Sequence, residues 1–487
     1  MTGIETYGSA LKKVMKAAHL TARQIAEYIG YDVSYISKWS SNAKLPSSRS
    51  IDRINGELGG FIAEQLKQEQ AIQPFCQAMN FSCTEDDLAG EISQYLSDSY
   101  RSALQKRSGK AAEMKSTVRM ITGVRHTASF ITDILRQQIH ADQNGDMELL
   151  IYGDFCLLQD IGFWSVLQND HPRKGRLHVT AGLDLKKAEE KEAYVRALYH
   201  LLNTCLEIDF TFYDIQDMGY GNMIILKDHF VLQYALLPSQ GFIMCTYMEG
   251  MAAVQELYEM LDLKRTEKQP VMTHSHSPWK MQFGYRSTFY AARSFFFFLT
   301  NGIEYFLPDE VFNTITASVP TSQQSALNQL RITWEELLNR AAITLVIPMT
   351  SLFRYLKTGR INLTDIQYSL TPAERLSHLD SLLHTLKANP AIQTAILEQN
   401  PETDLFQENN VSFYSNYQVS FFNKNPFAIH NGADTFYVIK NKKLQRSVLL
   451  MFLRLKTLPQ YHVYTEQSIK EKYNDYEQVI HRILTTP

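Results

Sequence analysis

Polar side chains recur along one side of a short segment, residues 32–41, that is predicted to be helical. Asp32 is a good N-cap, and Ile36 and Trp39 would form the apolar side of the helix. The opposite side would present Val33, Ser34, Ser37 and Lys38, with Tyr35 beside them. In a DNA major groove an ammonium can donate to guanine O6 and N7, a hydroxyl can bond either kind of base, and a valine can contact a thymine methyl. If the segment is the second helix of a DNA-binding motif, these four residues are candidate base contacts; otherwise they form a solvated polar face.

A second group of side chains flanks this segment and suits contact with phosphates. The group comprises Thr21, Ser40, Ser41 and Lys44. A helix N-terminus, hydroxyl groups and a cation are the usual partners of phosphate oxygens, and they fix register without reading sequence. We expect these four residues to position the helix against a duplex.

Local signals predict the elements that would hold this helix. Thr21 is a good N-cap for a preceding helix with Ile25, Ala26 and Ile29 on one face. Gly30 can supply the left-handed backbone of a tight turn between the two helices. Further apolar helices are expected on either side, one with Leu11 and Met15 and one with Ile51, Ile54 and Leu58.

Residues 20–47 resemble, without a gap, the Cro/C1-type helix-turn-helix of phage repressors and XRE-family regulators. The resemblance implies an all-α, sequence-specific domain at residues 1–60 that binds double-stranded DNA. Two positions depart from the family pattern. Ala22 stands where a phosphate-contacting Gln is usual, and Asn42 replaces a common Gly, although Asn tolerates a left-handed conformation. With few phosphate contacts per head, we expect a homodimer that reads an inverted-repeat operator.

Length and composition limit the remaining possibilities. A chain of 487 residues suggests about three domains. Residues 1–60 contain eight Lys/Arg and five Asp/Glu, a formal net charge of +3. The whole chain has a net charge of −3, so the rest of the chain has a net charge of −6. The five cysteines form no Cys-x-x-Cys pair, which argues against a disulfide framework or a structural zinc site. The chain shows neither a secretory segment nor a membrane span, so we expect a cytoplasmic protein without membrane contact.

Beyond the head, the periodicity predicts an α+β multidomain chain. Residues 61–144 read as a helical connector that could dimerise, and residues 145–262 as a mixed α/β lobe. Residues 280–487 read as a second α/β lobe with helical segments, separated from the first by the polar stretch 264–278. The run of four phenylalanines within residues 294–300 is expected to be a short buried segment.

The two predicted lobes show similar patterns, although chance similarity remains an alternative. The paired segments are 149–170 with 345–365, 186–204 with 372–388, and 223–233 with 436–445. The last pair reads as hairpins with Lys227 and Lys440 at their tips. A crevice between the lobes could bring the two lysines together as a site for an anionic small-molecule or peptide effector.

Other motifs do not predict catalysis or a cofactor. A duplicated α/β body resembles the phospholipase D-like fold, but no His-x-Lys pair occurs in the chain. His274-Ser275-His276 lacks a third metal ligand at useful spacing and reads as a solvated loop. We therefore expect no enzyme activity, no metal and no cofactor.

These patterns favour a one-component transcriptional regulator whose body senses a ligand or mediates assembly. Two alternatives remain open at this point. One is a phospholipase D-like enzyme that acts on nucleic acid, and the other is an XRE-headed peptide-pheromone receptor with a body of helical repeats. The strand-rich runs and the lack of a 34-residue helical period argue against the second alternative.

Overall fold

The chain separates into two units, residues 1–114 and 115–487, in a computed structural model. Each unit is described by itself. The structure describes residues 6–47, 50–79, 81, 87–107, 117–141, 144–159, 162–167, 174–218, 221–237, 241–275, 288–363 and 366–485. None of the helices in these ranges is both long enough and apolar enough to cross a membrane.

Helices that share one apolar core make up the first unit. They are α1 (Tyr7–Ala17), α2 (Ala22–Ile29), α3 (Val33–Ser40), α4 (Ile51–Gln68), α5 (Ile72–Met79) and α6 (Leu88–Arg107). Leu11, Ile25, Ile36 and Ile54 from the first four helices are buried in this core, and so is Leu96 of α6. The predicted boundary at residue 60 falls inside α4, and α5 and α6, which begin the predicted connector, share the core of α1 to α4.

The capping signals of α2 and α3 form as the sequence predicts. Thr21 and Gln24 form a capping box at the start of α2, and Asp32 accepts from the backbone N–H of Ser34 at the start of α3. Gly30 has φ of +70° and ends α2, which confirms its predicted left-handed conformation. Asn42 likewise has φ of +58°.

The second unit is a mixed α/β structure. Its strands are β1 (Thr117–Thr122), β2 (Met147–Asp154), β3 (Leu177–Leu183), β4 (Ile208–Asp214), β5 (Met223–Leu226), β6 (Phe230–Leu237), β7 (Gly241–Glu249), β8 (Met272–Ser275), β9 (Ser294–Phe298), β10 (Ala342–Pro348), β11 (Arg360–Leu363), β12 (Ile366–Ser369), β13 (Ile392–Leu397), β14 (Val411–Ser415), β15 (Ser420–Lys424), β16 (Phe436–Ile439) and β17 (Tyr461–Tyr464). Its α-helices are α7 (Val124–Ala141), α8 (Phe155–Gln159), α9 (Phe163–Leu167), α10 (Leu185–Glu190), α11 (Glu192–Thr204), α12 (Ile215–Met218), α13 (Met251–Thr266), α14 (Asp309–Ser318), α15 (Thr321–Arg340), α16 (Met349–Thr358), α17 (Pro372–Ala388), α18 (Lys442–Leu453) and α19 (Glu466–Thr485). Four short 3₁₀ helices complete it: Glu304–Phe306, Asp404–Gln407, Pro426–Ala428 and Arg454–Thr457.

Fifteen strands form one continuous sheet in the order β1-β7-β6-β5-β2-β3-β4-β8-β16-β15-β14-β9-β10-β13-β17. After β1, the order consists of two sets of seven strands with the same internal arrangement. In the first strand set, from β7 to β8, three parallel strands lie between an antiparallel meander and one antiparallel strand. The second strand set, from β16 to β17, repeats this arrangement. A body of helical repeats is therefore excluded.

The second strand set is inverted relative to the first. Five successive antiparallel pairings separate β4 from β9, so the parallel strands of the two sets run in opposite directions. The helical layers are also exchanged. On the first strand set, α7 and α11 cover one face of the sheet and α13 covers the opposite face. On the second strand set, α18 lies on the same face as α7 and α11, whereas α14 and α15 lie on the same face as α13. A half-turn about an axis that crosses the strands would produce this relation.

The segments that are equivalent in the two strand sets differ from those expected from sequence. By its place in the sheet, β2 of the first strand set is equivalent to β9 of the second, and the hairpin β5–β6 is equivalent to β14–β15. Residues 436–445 are not a hairpin, because β16 is followed directly by helix α18. The expected separating stretch, 264–278, instead includes β8, which joins the two sets by pairing with β4 and β16. Helices α11 and α17 do occupy equivalent places, and Phe295 to Phe298 form the buried β9 as expected.

Candidate nucleic-acid interface

Helix α3 presents the side that the sequence analysis singled out. Ile36 and Trp39 are buried in the core of the first unit, at 0% and 2% exposure. On the opposite side Val33 is 40% exposed, and Ser34, Ser37 and Lys38 are exposed as well. All four candidate base contacts therefore lie on one accessible helix face.

A close approach of α1 holds α3 in this position. A Cβ atom added at Gly8 would lie 2.5 Å from the carbonyl oxygen of Trp39 and 2.6 Å from that of Ser40. Asn42 ties the same region together, because its side chain accepts from the backbone N–H of Gly8 at 2.8 Å and donates to the Thr6 hydroxyl at 2.8 Å. Only glycine permits this contact, and the sequence analysis did not identify Gly8.

Tyr35 links the two lysines of the candidate interface. The Lys38 ammonium lies 5.8 Å from the centre of the Tyr35 ring, and the Lys44 ammonium lies 5.5 Å from it. Cation–π contacts of this kind orient a charged group without neutralising it. Tyr35, which is 39% exposed, thus places two positive charges next to the face of α3.

The hydroxyl groups expected to contact phosphate already donate hydrogen bonds within the protein. The Thr21 hydroxyl donates to the Gln24 side chain at 2.7 Å. Ser40 and Ser41 donate to the carbonyl oxygens of Ser37 and Lys38 at 3.1 and 3.2 Å. Contact with a phosphate oxygen would therefore require these hydroxyls to rotate, which leaves Lys44 as the most readily available of the four.

One acidic group lies beside the same face. Hydrogen bonds from Ser34 lower the pKa of the Asp32 carboxyl, so it stays ionised at neutral pH. A carboxylate at the start of α3 stabilises the helix but repels phosphates. Contacts by the amino-terminal turn of α3 are thus expected to favour base edges over the DNA backbone.

The two lysines proposed for an effector site are not brought together. Lys227 lies in the turn after β5, where its ammonium pairs with Glu148 at 2.9 Å. Lys440 follows β16, and its backbone N–H donates to the carbonyl of Val271. Strands β5 and β16 are five strand spacings apart, or roughly 24 Å, and the two lysines lie at opposite ends of the strands.

A different group of titratable side chains meets where the two strand sets join. His178, Asp209 and His274 come from the adjacent strands β3, β4 and β8, and each has a candidate ligand atom within 4.8 Å of the others. His274 therefore lies in a strand and not in the expected solvated loop, while His276 lies outside the described residues. Two imidazoles and a carboxylate are ligands that suit a divalent transition metal.

Neighbouring charges already balance this cluster. Arg176 donates to Asp209 at 2.6 and 2.9 Å and lies 2.6 Å from Asp434, which in turn is 2.5 Å from His274. The buried ammonium of Lys424 is 3.7 Å from Asp209, and burial lowers its pKa to about 8. Two cations thus compensate two carboxylates, and a metal would have to displace Arg176. The network accounts structurally for the join between β4, β8, β15 and β16.

Comparisons with known proteins assign no family. No protein-family model matches the sequence, and no curated protein is significantly similar to it. The solved structure of TrmBL2, an archaeal chromatin protein whose report describes a novel mode of DNA binding, aligns with 41% of this chain and 70% of its own length. The identity is 11% and the TM-score 0.20, so this likeness establishes neither the fold nor the function of the chain.

Proposed function

We propose that the chain is a sequence-specific DNA-binding transcriptional regulator of the Cro/C1 helix-turn-helix type. The observation that carries the proposal is the exposed face of α3, where Val33, Ser34, Ser37 and Lys38 project and where Lys44 adds a second positive charge over the Tyr35 ring. Helix α2, the turn at Gly30 and α3 have the lengths and caps that such a motif requires.

In this proposal the second unit senses a ligand or mediates assembly and arose by internal duplication. The repeated strand order and the exchanged helical layers support the duplication. The protein would act in the cytoplasm as a homodimer on an inverted-repeat operator, because one head with few phosphate contacts holds DNA weakly. No catalytic step is part of the proposal.

Selection of bound duplexes from a random pool by the full-length chain tests DNA reading directly. We expect one enriched sequence with two half-sites of opposite orientation. A pool that stays random after repeated rounds would contradict the proposal.

Two lysine variants then separate base reading from phosphate contact. Lys38→Ala is expected to cost about 1–3 kcal/mol on the selected site and to relax base preference there. Lys44→Ala should weaken binding to all duplexes alike and reduce the slope of the logarithm of the binding constant against the logarithm of the salt concentration by about 1. Lys16→Ala, an exposed lysine in the last turn of α1, is the matched control. Equal losses for Lys38→Ala on selected and scrambled duplexes would remove it from the base contacts.

A further inference from the structure

We propose that the second strand set contains a binding pocket for the phosphate group of a small molecule, built around Arg354 and Arg360. The pocket is a crevice that is partly open to solvent, and Asn425 and Phe427 also line it. It shares no residue with the candidate nucleic-acid interface. The inference goes beyond the proposed regulatory function and stands independently of it.

The pocket lies where an open α/β sheet usually binds ligands. Thr300 and Asn301 follow the carboxyl end of β9, and Arg354 lies on α16, which follows the carboxyl end of the parallel neighbour β10. On its other side β9 pairs with the antiparallel β14. The connection from β9 to β10 and the chain that leads to β14 therefore leave β9 on opposite sides. Crevices outside the carboxyl ends of strands, at such a change of direction, are the general ligand sites of these folds.

The hydrogen bonds that Arg354 makes within the described ranges are all to neutral groups. One of its terminal nitrogens donates to the carbonyl oxygens of Thr300 and of Asn409, the latter at 2.7 Å. Burial, reinforced by the positive charge of Arg360, lowers the pKa of the guanidinium. Within the described ranges no carboxylate pairs with Arg354.

Arg360 adds a second positive charge beside the first. Gly359, at φ of +62°, ends α16 and turns the chain sharply into β11, which brings Arg360 back towards Arg354. The Arg360 guanidinium stacks on Phe427 at 5.1 Å and forms no ion pair within the described ranges. Two guanidinium groups that line one pocket attract an anion of matching charge, and a phosphomonoester carries about −1.5 to −2 at pH 7.

Neutral polar groups around the pocket are available to complete the site. The side-chain oxygen of Asn425 accepts from the backbone N–H of Phe427, so its amide nitrogen remains a donor. Asn362 is on the same face of β11 as Arg360 but is not one of the residues that line the pocket; it is 3% exposed, and its amide atoms have no hydrogen-bond partner in the described part of the chain. Unpaired buried amides are unfavourable unless a ligand or water satisfies them.

The equivalent crevice of the first strand set provides an internal comparison. There Asp154, at the end of β2, pairs with Lys187 at 2.7 Å and accepts from the Tyr194 hydroxyl at 2.7 Å. A carboxylate thus neutralises the cation in the first set, whereas the second set has two cations and no carboxylate partner among the described residues. The difference points to an anionic ligand in the second set only.

Calorimetric titration of the full-length chain with inorganic phosphate, and separately with glycerol 3-phosphate, tests the pocket. We expect one saturable site, with tighter binding of the phosphomonoester if the natural ligand is a small organic phosphate. Arg360→Gln and Arg354→Gln are each expected to weaken binding about 10- to 100-fold, equivalent to about 1.4–2.8 kcal/mol. Arg446→Gln, an exposed arginine on α18, should leave binding unchanged.

Several outcomes would overturn the proposal. They are a lack of saturable binding at millimolar phosphate, binding that survives Arg360→Gln, and equal weakening by Arg446→Gln. Arg360 is exposed, so its variant decides the question even if Arg354→Gln fails to fold. If the parent chain binds no phosphate and Arg360→Gln binds DNA duplexes less tightly than the parent, the two arginines contact DNA instead of a phosphate ligand. The titration contains no DNA, so its result does not depend on the proposed regulatory function.

Discussion

Replacement of Glu304 by glutamine is expected to make the protein more stable above neutral pH. Glu304 is 6% exposed, and burial raises the pKa of its carboxyl from the ordinary 4.5 to about 7. The Tyr414 hydroxyl, which donates to it at 3.2 Å, opposes that shift only in part. The folded protein therefore keeps a proton on Glu304 over a pH range in which the unfolded chain releases it.

The sign and size of the effect follow from proton linkage. Between pH 4.5 and about 7 the folded state binds more protons at Glu304, so the free energy of unfolding falls as pH rises. At about 1.4 kcal/mol per pH unit, the full loss is about 3 kcal/mol. Glu304→Gln keeps an oxygen for Tyr414 and carries no charge. It should match the parent near pH 4.5 and exceed it by about 3 kcal/mol above pH 7.

A second buried group makes the comparison of variants essential. Burial lowers the pKa of His378 to about 4, so its contribution to stability rises with pH between about 4 and 6.5. This rise opposes the effect of Glu304, and the parent protein alone could show a nearly flat profile. Subtracting the parent curve from the Glu304→Gln curve cancels the His378 contribution, because the histidine is present in both.

Urea unfolding of the full-length chain, followed by tryptophan fluorescence across this pH range, measures the difference. Trp334 is a suitable reporter, since its ring lies 4.7 Å from that of Tyr305, the residue next to Glu304. Glu310→Gln, an exposed carboxyl in the first turn of α14, is the matched control and should show no pH-dependent difference. A stability gain for Glu304→Gln that stays constant from pH 4.5 to above 7 would refute the reasoning.

The remaining predictions concern the first unit and assembly. Gly8→Ala is expected to destabilise the first unit by about 1–3 kcal/mol, because the new Cβ would overlap the Trp39 carbonyl. Trp39 fluorescence during urea unfolding would report this loss of stability. An unchanged urea midpoint would contradict the close approach of Gly8 to Trp39. Light scattering at concentrations that saturate DNA binding should give twice the mass of one chain, and a monomer there would argue against the inverted-repeat operator.

Local signals account for the parts that the sequence predicts well. The caps at Thr21 and Asp32, the turn at Gly30 and the left-handed Asn42 depend on neighbouring residues only, and the structure forms each of them. The place where the first unit ends could not be read in the same way. Helix α6 joins the core through Leu96, a contact with distant residues that periodicity does not encode.

Long-range pairing explains why the second unit was harder to predict. Similar strand and helix runs reveal the repeat and match α11 with α17, but the strand correspondences read from sequence are wrong, because β9 and not β10 is the equivalent of β2. The buried cluster around Asp209 draws on four separate parts of the chain, including His274 and Asp434. Neither spacing nor composition marks such residues as neighbours.

The two strand sets show how one arrangement can support different chemistry at the same place. The ion pair of Asp154 and Lys187 neutralises the first crevice from within, so it needs no ligand. In the second crevice burial disfavours the charged form of Arg354, and repulsion from Arg360 adds to that effect. A bound dianion would remove that repulsion and stabilise the folded state by mass action, by about 2.7 kcal/mol at a hundredfold excess over Kd. Under the proposal that the second unit senses a ligand, filling this pocket would act as the signal only if the ligand binds one of two states more tightly, since an effector acts through that difference.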